Sequence, residues 1–294
     1  TFDLFREMNS HMLNANIKFI FNKPNVDQRL QTATPIMDKI HLRARALVHF
    51  VLGDLSEDEW FHHCRNTSGS SIGVPFSDTS LEKKFTFPLS STVTAERYWR
   101  RYLSYDKELY GALCKHNANV SQDIEPTIGS RATTVDKTKD KRRMICVEPT
   151  VNMFLQQGIM RLMYKRLSKV GIDLESAQDK HVSLARQGSI SGHLATIDFK
   201  SASDCVSIEV LRWLLPPKWF DVCWNIRSPY TLLDGSYVEL QMMSTMGNAT
   251  TFPLETLLFW AYAHAVRLSL KPGNSLFPDW KDLRKVHVFG DDCI

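Results

Sequence analysis

Two short apolar runs in this chain carry or meet aspartates: Leu194 to Phe199 (LATIDF) holds Asp198, and Val286 to Phe289 leads through Gly290 into Asp291 and Asp292. Both runs are rich in β-formers and too short for helices, so each predicts a strand. Gly290 permits a tight turn directly after the second. Carboxylates at the ends of buried strands are costly unless something neutralises them. If the two strands are neighbours the acids converge, and a pair of divalent cations is the natural partner. Hard oxygen ligands favour Mg²⁺ or Mn²⁺ over zinc. Two such ions about 3.5–4 Å apart can activate an attacking hydroxyl and stabilise the leaving group of an in-line displacement. By itself Gly-Asp-Asp is a weak signal, because acidic turns are common in hairpins.

Its company strengthens it. Six basic residues (Arg131, Lys137, Lys139, Lys141, Arg142, Arg143) and two acidic ones (Asp136, Asp140) lie between Gly129 and Arg143. The formal net charge of the whole chain is +4, so this segment accounts for all of it. Local basicity suits a phosphate-handling site better than a general polyanion coat, although a solvated loop has the same composition. Between the two Asp-bearing strands lies a Gly loop, Ser244-Thr245-Met246-Gly247-Asn248, leading into an apolar helix carrying Leu254, Leu257, Leu258, Ala261 and Ala265.

With 294 residues, 43% hydrophobic and 23% charged, the chain is long enough for about two globular domains and is not disordered overall. The longest nearly unbroken apolar stretch, Leu257 to Val266, is interrupted by His264 and falls short of the roughly 20 residues of a membrane span. Six scattered cysteines without a CxxC pair read as reduced thiols, and His62-His63-Cys64 lacks return ligands for zinc. Pro35 and Gly53 bracket a helix with Ile36, Ile40, Leu47 and Val51 on its apolar face, and Ser56 with Glu59 forms a capping box for a second. Ala95 to Ala112 reads as one helix with Arg97, Arg100 and Arg101 on a polar face. Another carries Leu155, Ile159, Leu162, Met163, Leu167 and Val170 and ends at Gly171. Trp213, Trp219, Trp224 and Trp260 have no interleaved charge and read as core.

In order, basic segment, strand Asp, Gly loop with helix and GDD resemble the motif series of viral RNA-directed RNA polymerases. The similarity is strongest to the replicase catalytic subunit of levivirus-type single-stranded RNA bacteriophages. It runs through Val147-Glu148-Pro149, Asn152-Met153-Phe154, Gly171-Ile172-Asp173-Leu174, Leu194 to Asp198 and Ser201-Ala202-Ser203-Asp204. Leu214-Leu215-Pro216-Pro217, Arg227-Ser228-Pro229, Asp234-Gly235-Ser236, Ser244 to Asn248, Thr251-Phe252, Leu254-Glu255 and Phe289 to Asp292 continue it. More than half of the chain, from about Arg131 onward, is covered.

This resemblance implies an α+β, right-hand polymerase fold. Residues 1–147 would be fingers, with the basic segment 131–143. Residues 148–294 would be a palm whose antiparallel sheet has helices behind it, and the thumb would be missing. It implies metal and catalytic roles for Asp198, Asp291 and Asp292, with two Mg²⁺ ions (Mn²⁺ as an alternative). Lys139, Lys141, Arg142 and Arg143 would contact the incoming triphosphate, with Arg186 as a further candidate. Asp204 matches the ribose-sensing carboxylate. Gly247, Asn248 and Thr251 belong to the nucleotide-binding set; Glu255 stands where many viral polymerases carry the Asn that partners the ribose sensor, so Asn248, Thr251 and Glu255 are all candidates for that partner. Lys200 occupies a position where a small residue is more usual.

The implied reaction is template-directed transfer of nucleotides from NTPs to an RNA 3′ end in the cytoplasm of a bacterial host. The implied partners are RNA template and nascent RNA, the host translation elongation factors Tu and Ts, and in some members a ribosomal protein. No membrane is involved. A reverse transcriptase and a non-catalytic RNA-binding remnant are the alternatives, the first disfavoured by Gly290 after Phe289 and the second by the placed carboxylates. The chain begins at Thr1 and stops two residues after Asp292. The expectation is therefore an internal fragment whose returning strand is almost wholly absent and which does not polymerise alone.

Overall fold

A computed structural model describes residues 1–25, 34–117, 122–271, 275–279 and 281–294. The first half contains α1 (Phe2–Asn22), α2 (Ile36–Leu52), α3 (Glu57–His62), α4 (Leu81–Lys84), β1 (Leu89–Ser91), α5 (Val93–Tyr105) and α6 (Lys107–His116). Then come β2 (Ile124–Pro126), β3 (Ser130–Thr138), β4 (Lys141–Val147), α7 (Thr150–Ser168), α8 (Ala177–Ser191) and β5 (Ile197–Asp198). The remainder is α9 (Ile208–Leu214), α10 (Pro217–Ile226), β6 (Tyr230–Leu233), β7 (Ser236–Glu239), α11 (Thr251–Ser269), β8 (Val288–Phe289) and β9 (Asp292–Cys293). The class is α+β, as expected.

Two compact units divide these elements, and neither is a single stretch of sequence. One comprises Thr1–His11, Leu55–Leu162 and Asp221–Thr251; the other comprises Met12–Asp54, Met163–Phe220 and Phe252–Ile294.

In the first unit the sheet order is β4-β3-β6-β7. Strands β3 and β4 form an antiparallel hairpin from Arg131↔Val147 to Thr138↔Lys141, irregular between Asp136 and Thr138, and β3 pairs in parallel with β6. The basic segment is thus a β-hairpin rather than a loop. Its Thr-rich alternation supports strands, because β-branched side chains suit a pleated surface. Helix α5 packs Trp99 against Phe154 of α7 at 5.5 Å between ring centres, and Trp60 Nε1 donates to Leu155 O at 3.0 Å. The single helix expected over Ala95 to Ala112 is two, α5 and α6. Asp106 breaks it by accepting from Leu109 N at 2.9 Å, so the chain restarts with Asp106 as N-cap.

The second unit builds on α2, closed by Gly53, whose N–H donates to His49 O at 2.9 Å. Pro35 stands at the N-cap rather than inside the first turn. Leu42, Leu47, Val48, Val51 and Leu52 are buried, together with Arg43, whose Nε donates to Ser275 O at 2.8 Å. Trp213 and Trp219 sit in this core with their ring N–H groups on Pro24 O (3.2 Å) and Gly53 O (2.9 Å), and Trp260 is fully buried.

Among the described residues this unit's sheet is three-stranded and antiparallel, in the order β5-β9-β8. The run Leu194 to Phe199 is a strand only at Ile197–Asp198, since β9 offers just two residues to pair with it. The expectation of an almost absent returning strand needs correction. Asp292 and Cys293 form β9, the central strand, and Ile294 exchanges backbone bonds with His287 at 2.8 and 2.9 Å.

Candidate active site

Phe289 and Asp292 face each other across β8 and β9, so Gly290 and Asp291 are the two central residues of the hairpin turn. Gly290 has φ 62°, the left-handed region that a Cβ disfavours. A side chain there would also meet Phe252 Cε2 at 2.5 Å and Glu255 Oε1 at 3.0 Å. The turn is fixed to α11 by Gly290 N donating to Thr256 Oγ1 at 3.0 Å, while Phe252 and Phe289 meet edge to face at 4.9 Å.

This arrangement gathers the predicted acids. Asp198 on β5 is the direct register partner of Asp292 on β9. Residues opposite each other in an antiparallel ladder put their side chains on the same face. Phe199 N donates to Asp291 O at 3.2 Å, so the turn is stitched to the end of β5 as well. All three aspartates are exposed. The Asp292 carboxyl is held above its usual range, first by partial burial and then by the charges of Asp291 and Asp198, while His181 pulls the other way.

Two more acids stand behind them. Asp204 ends the short 3-10 turn Ala202–Asp204, and burial pushes its carboxyl up to about 6. Glu255 lies in the second turn of α11, 6% exposed. Burial, then Asp291 and Asp204, push it up to about 8. Among the described residues its buried Oε2 has no hydrogen-bond partner.

The donor set is all oxygen and its acids hold one another's carboxyls up, the chemistry that a hard divalent cation matches. Among the described residues, no three His, Cys, Asp or Glu side chains already form a group that could hold a metal ion. In His62-His63-Cys64, Cys64 is buried and its thiol is pushed well up by desolvation. All six cysteines are free.

In the other unit the basic residues are exposed on the β3–β4 hairpin, with Lys139 and Asp140 at its tip. Strand alternation separates them: Arg142 lies opposite Asp136 and pairs with it at 3.5 Å, whereas Arg143 lies opposite Val135, on the face shared with Arg131. The Gly loop is seated on the end of β4. Cys146 N donates to Met246 O at 2.7 Å, and Gly247, at φ 109°, comes so close that a Cβ would meet Cys146 O at 2.2 Å. The polar groups of the loop point inward. Asn248 Oδ1 accepts from Thr250 N and Oγ1 at 2.8 and 2.7 Å, and Thr251 Oγ1 donates to Thr245 O at 2.7 Å. Arg186 is exposed on α8, and Lys200 is exposed beside Ser201, whose φ is 57°.

Sequence reasoning missed His181. It lies on α8, 9% exposed, with its ring 6.1 Å from that of Phe289. No motif marked it, because its neighbourhood with Asp292 arises only from the packing of α8 on β8.

Residues 12–294 match the family model described as RNA replicase, beta-chain. The chain is 34% identical over 234 residues to the RNA-directed RNA polymerase beta chain of Escherichia phage MS2, covering 80% of this chain and 41% of that protein. It is 34% identical over 268 residues to the corresponding beta chain of Enterobacteria phage GA, covering 88% and 46%. It is 35% identical over 260 residues to the RNA-directed RNA polymerase subunit beta of Escherichia virus Qbeta, covering 87% and 40%. The chain thus spans less than half the length of these relatives. With a family match across nearly its whole length, it belongs to the RNA replicase beta-chain family of the RNA bacteriophages.

Proposed function

We propose that this chain carries the catalytic centre of an RNA-directed RNA polymerase, which joins nucleotides from NTPs to an RNA 3′ end and releases pyrophosphate. One observation carries the reading: Asp198 and Asp292 stand opposite each other on adjacent strands, with Asp291 in the turn between β8 and β9. In this reading the unit with β5-β9-β8 contributes the palm and the β3–β4 hairpin belongs to the fingers.

Asp198, Asp291 and Asp292 would hold Mg²⁺, or Mn²⁺ in its place, which when bound supplies Lewis-acid activation of the 3′-hydroxyl and neutralises charge on the leaving pyrophosphate. The protein's own groups do the rest. The Gly290 turn, tied to α11 and to β5, fixes where the carboxylates point, and positioning is a large share of what such enzymes contribute. Glu255, pushed up to about 8, holds its proton at neutral pH and so adds no charge beside Asp291. Asp204, at about 6, is mainly ionised there and acts as acceptor for the ribose 2′-hydroxyl. A deoxyribose would leave that half-buried acceptor unpaired. Lys139, Lys141, Arg142 and Arg143 serve the triphosphate, and Arg143 lies on the face opposite to the Arg142–Asp136 pair.

Three of the matched relatives are named beta chains and three subunit beta. This chain accordingly works as part of an assembly in the infected bacterium, with elongation factors Tu and Ts and a ribosomal protein as the expected host members. Among the described residues no helix is long and apolar enough to cross a membrane. The test is extension of a primed RNA by the full-length protein with Mg²⁺ and NTPs. Extension with NTPs but not dNTPs supports the reading; no incorporation of either, with intact RNA binding, refutes it.

A further inference from the structure

Glu148 is the most deeply buried carboxylate described, 1% exposed at the end of β4, and no step above uses it. A buried carboxylate is retained only where hydrogen bonds satisfy it. Those of Glu148 come from two separate segments. Ser228 Oγ donates to Oε2 at 2.7 Å, and Asn248 Nδ2 approaches Oε1 at 3.5 Å. Gln156 of α7 joins them: its Nε2 donates to Ile226 O at 2.9 Å and its Oε1 accepts from Ala249 N at 3.3 Å.

One buried cation belongs to the same network. Arg227, 4% exposed, lies over the Trp224 ring at 4.1 Å and donates from Nη1 to Met242 O at 2.9 Å and Leu240 O at 3.4 Å. Its charge favours the ionised form of Glu148 while burial pushes that carboxyl up to about 7. Arg227 therefore holds the stretch entering the Gly loop, and Glu148 faces Asn248 within the loop at the outer limit of a hydrogen bond. The loop also lies directly on β4, where Gly247 comes so near the Cys146 carbonyl that a Cβ would meet it at 2.2 Å. Beyond Asn248 the chain enters α11, the helix of Glu255.

We propose that Glu148 is a positioning residue for the nucleotide site, which it serves by holding the loop Ser244 to Thr251 in place through Asn248. The proposal rests on the polymerase reading above. It places a polar clamp under the loop, two residues after the strand position on which Gly247 sits. It assigns Glu148 no contact with substrate.

The test uses Glu148→Gln, Asn248→Ala and Ser228→Ala in the full-length protein. Glu148→Gln keeps the shape but leaves one donor facing an amide N–H₂, so the NTP KM is expected to rise about tenfold. RNA affinity is expected to be unchanged. Asn248→Ala should reproduce this, and the double variant should be no worse than either alone. Ser228→Ala, which removes a bond outside the loop, should lower stability without the KM change. Amide hydrogen exchange at residues 245–251, read on the same proteins without substrate, should quicken in the first two variants and not in the third.

Unchanged exchange and unchanged KM in Glu148→Gln would overturn the proposal, as would a KM change in Ser228→Ala equal to that of Glu148→Gln. A wild-type protein that incorporates no nucleotide would instead remove the function beneath it, and quickened loop exchange would then support only the clamp.

Discussion

Replacing Asp292 by Asn should stabilise the protein in the absence of divalent cations while removing its activity. Directly opposed residues of an antiparallel pair have Cβ atoms about 4.5–5.5 Å apart, so a separation on the order of 5 Å sets the scale for the Asp198 and Asp292 charges. At an effective dielectric of about 40–80, suited to exposed side chains, Coulomb's law gives a repulsion of about 0.8–1.7 kcal/mol. Screening at 0.15 M salt roughly halves it. Asp291 contributes a second repulsion on the same carboxyl. The expected gain is thus about 1–2 kcal/mol at low ionic strength, less at high salt. The sign with pH follows from the raised Asp292 carboxyl. Its ionisation is disfavoured in the fold, so the penalty is present once it is charged and disappears as the pH falls and it takes up its proton. Thermal unfolding in chelator, at several salt concentrations and at neutral and acidic pH, reads all of this. Adding Mg²⁺ should then stabilise the wild type more than the variant. Destabilisation by Asp292→Asn at neutral pH, or a gain that ignores salt and pH, would refute the electrostatic reasoning.

Gly290→Ala should destabilise by about 2–5 kcal/mol, from left-handed backbone strain together with overpacking against Phe252, measured by denaturant unfolding; a change below about 0.5 kcal/mol would mean the turn is not as described. Arg143→Ala should raise the NTP KM by about tenfold or more, and Arg142→Ala by less, because Arg142 is already engaged with Asp136. Equal effects would deny the two-faced hairpin a role. Asp204→Ala should narrow the preference for NTPs over dNTPs in competition assays, whereas unchanged discrimination would reduce Asp204 to a structural acid.

What could be read from the sequence was whatever short-range chemistry decides. Pro35 and Gly53 bound α2 because φ restrictions act locally, and Gly290 with its two aspartates announced a turn for the same reason. Asp106 escaped notice because an apolar period continued through it, and a side chain capping its own backbone won over that period. The hairpin of β3 and β4 was masked by charge: six basic residues suggest solvent exposure, which is correct, but hide the alternation that makes strands. Helix α8 gave little signal, since Ala177 and His181 are its buried residues and the rest of its surface is polar or exposed. The sequence marked Asp198, Asp291 and Asp292 by their nearness to strands, and the register sets Asp198 opposite Asp292 with Asp291 in the turn. Glu255 was one of three open choices beside Asn248 and Thr251. Only the packing of α11 beneath the Gly290 turn puts it with Asp291 and Asp204. Glu148 stood within a matched stretch but carried no visible role, because its partners lie 80 and 100 residues away.

In the proposed reading, nucleotidyl transfer takes place at the acids of the β5-β9-β8 sheet. That reading is tested most directly by single-turnover incorporation on a primed RNA, comparing the full-length wild type with Asp198→Asn and Asp291→Asn at saturating RNA. Each substitution should lower incorporation by about a thousandfold, as loss of a catalytic metal ligand should, while RNA affinity and the melting temperature hold or rise. Incorporation by Asp291→Asn within a few-fold of the wild-type rate would contradict it.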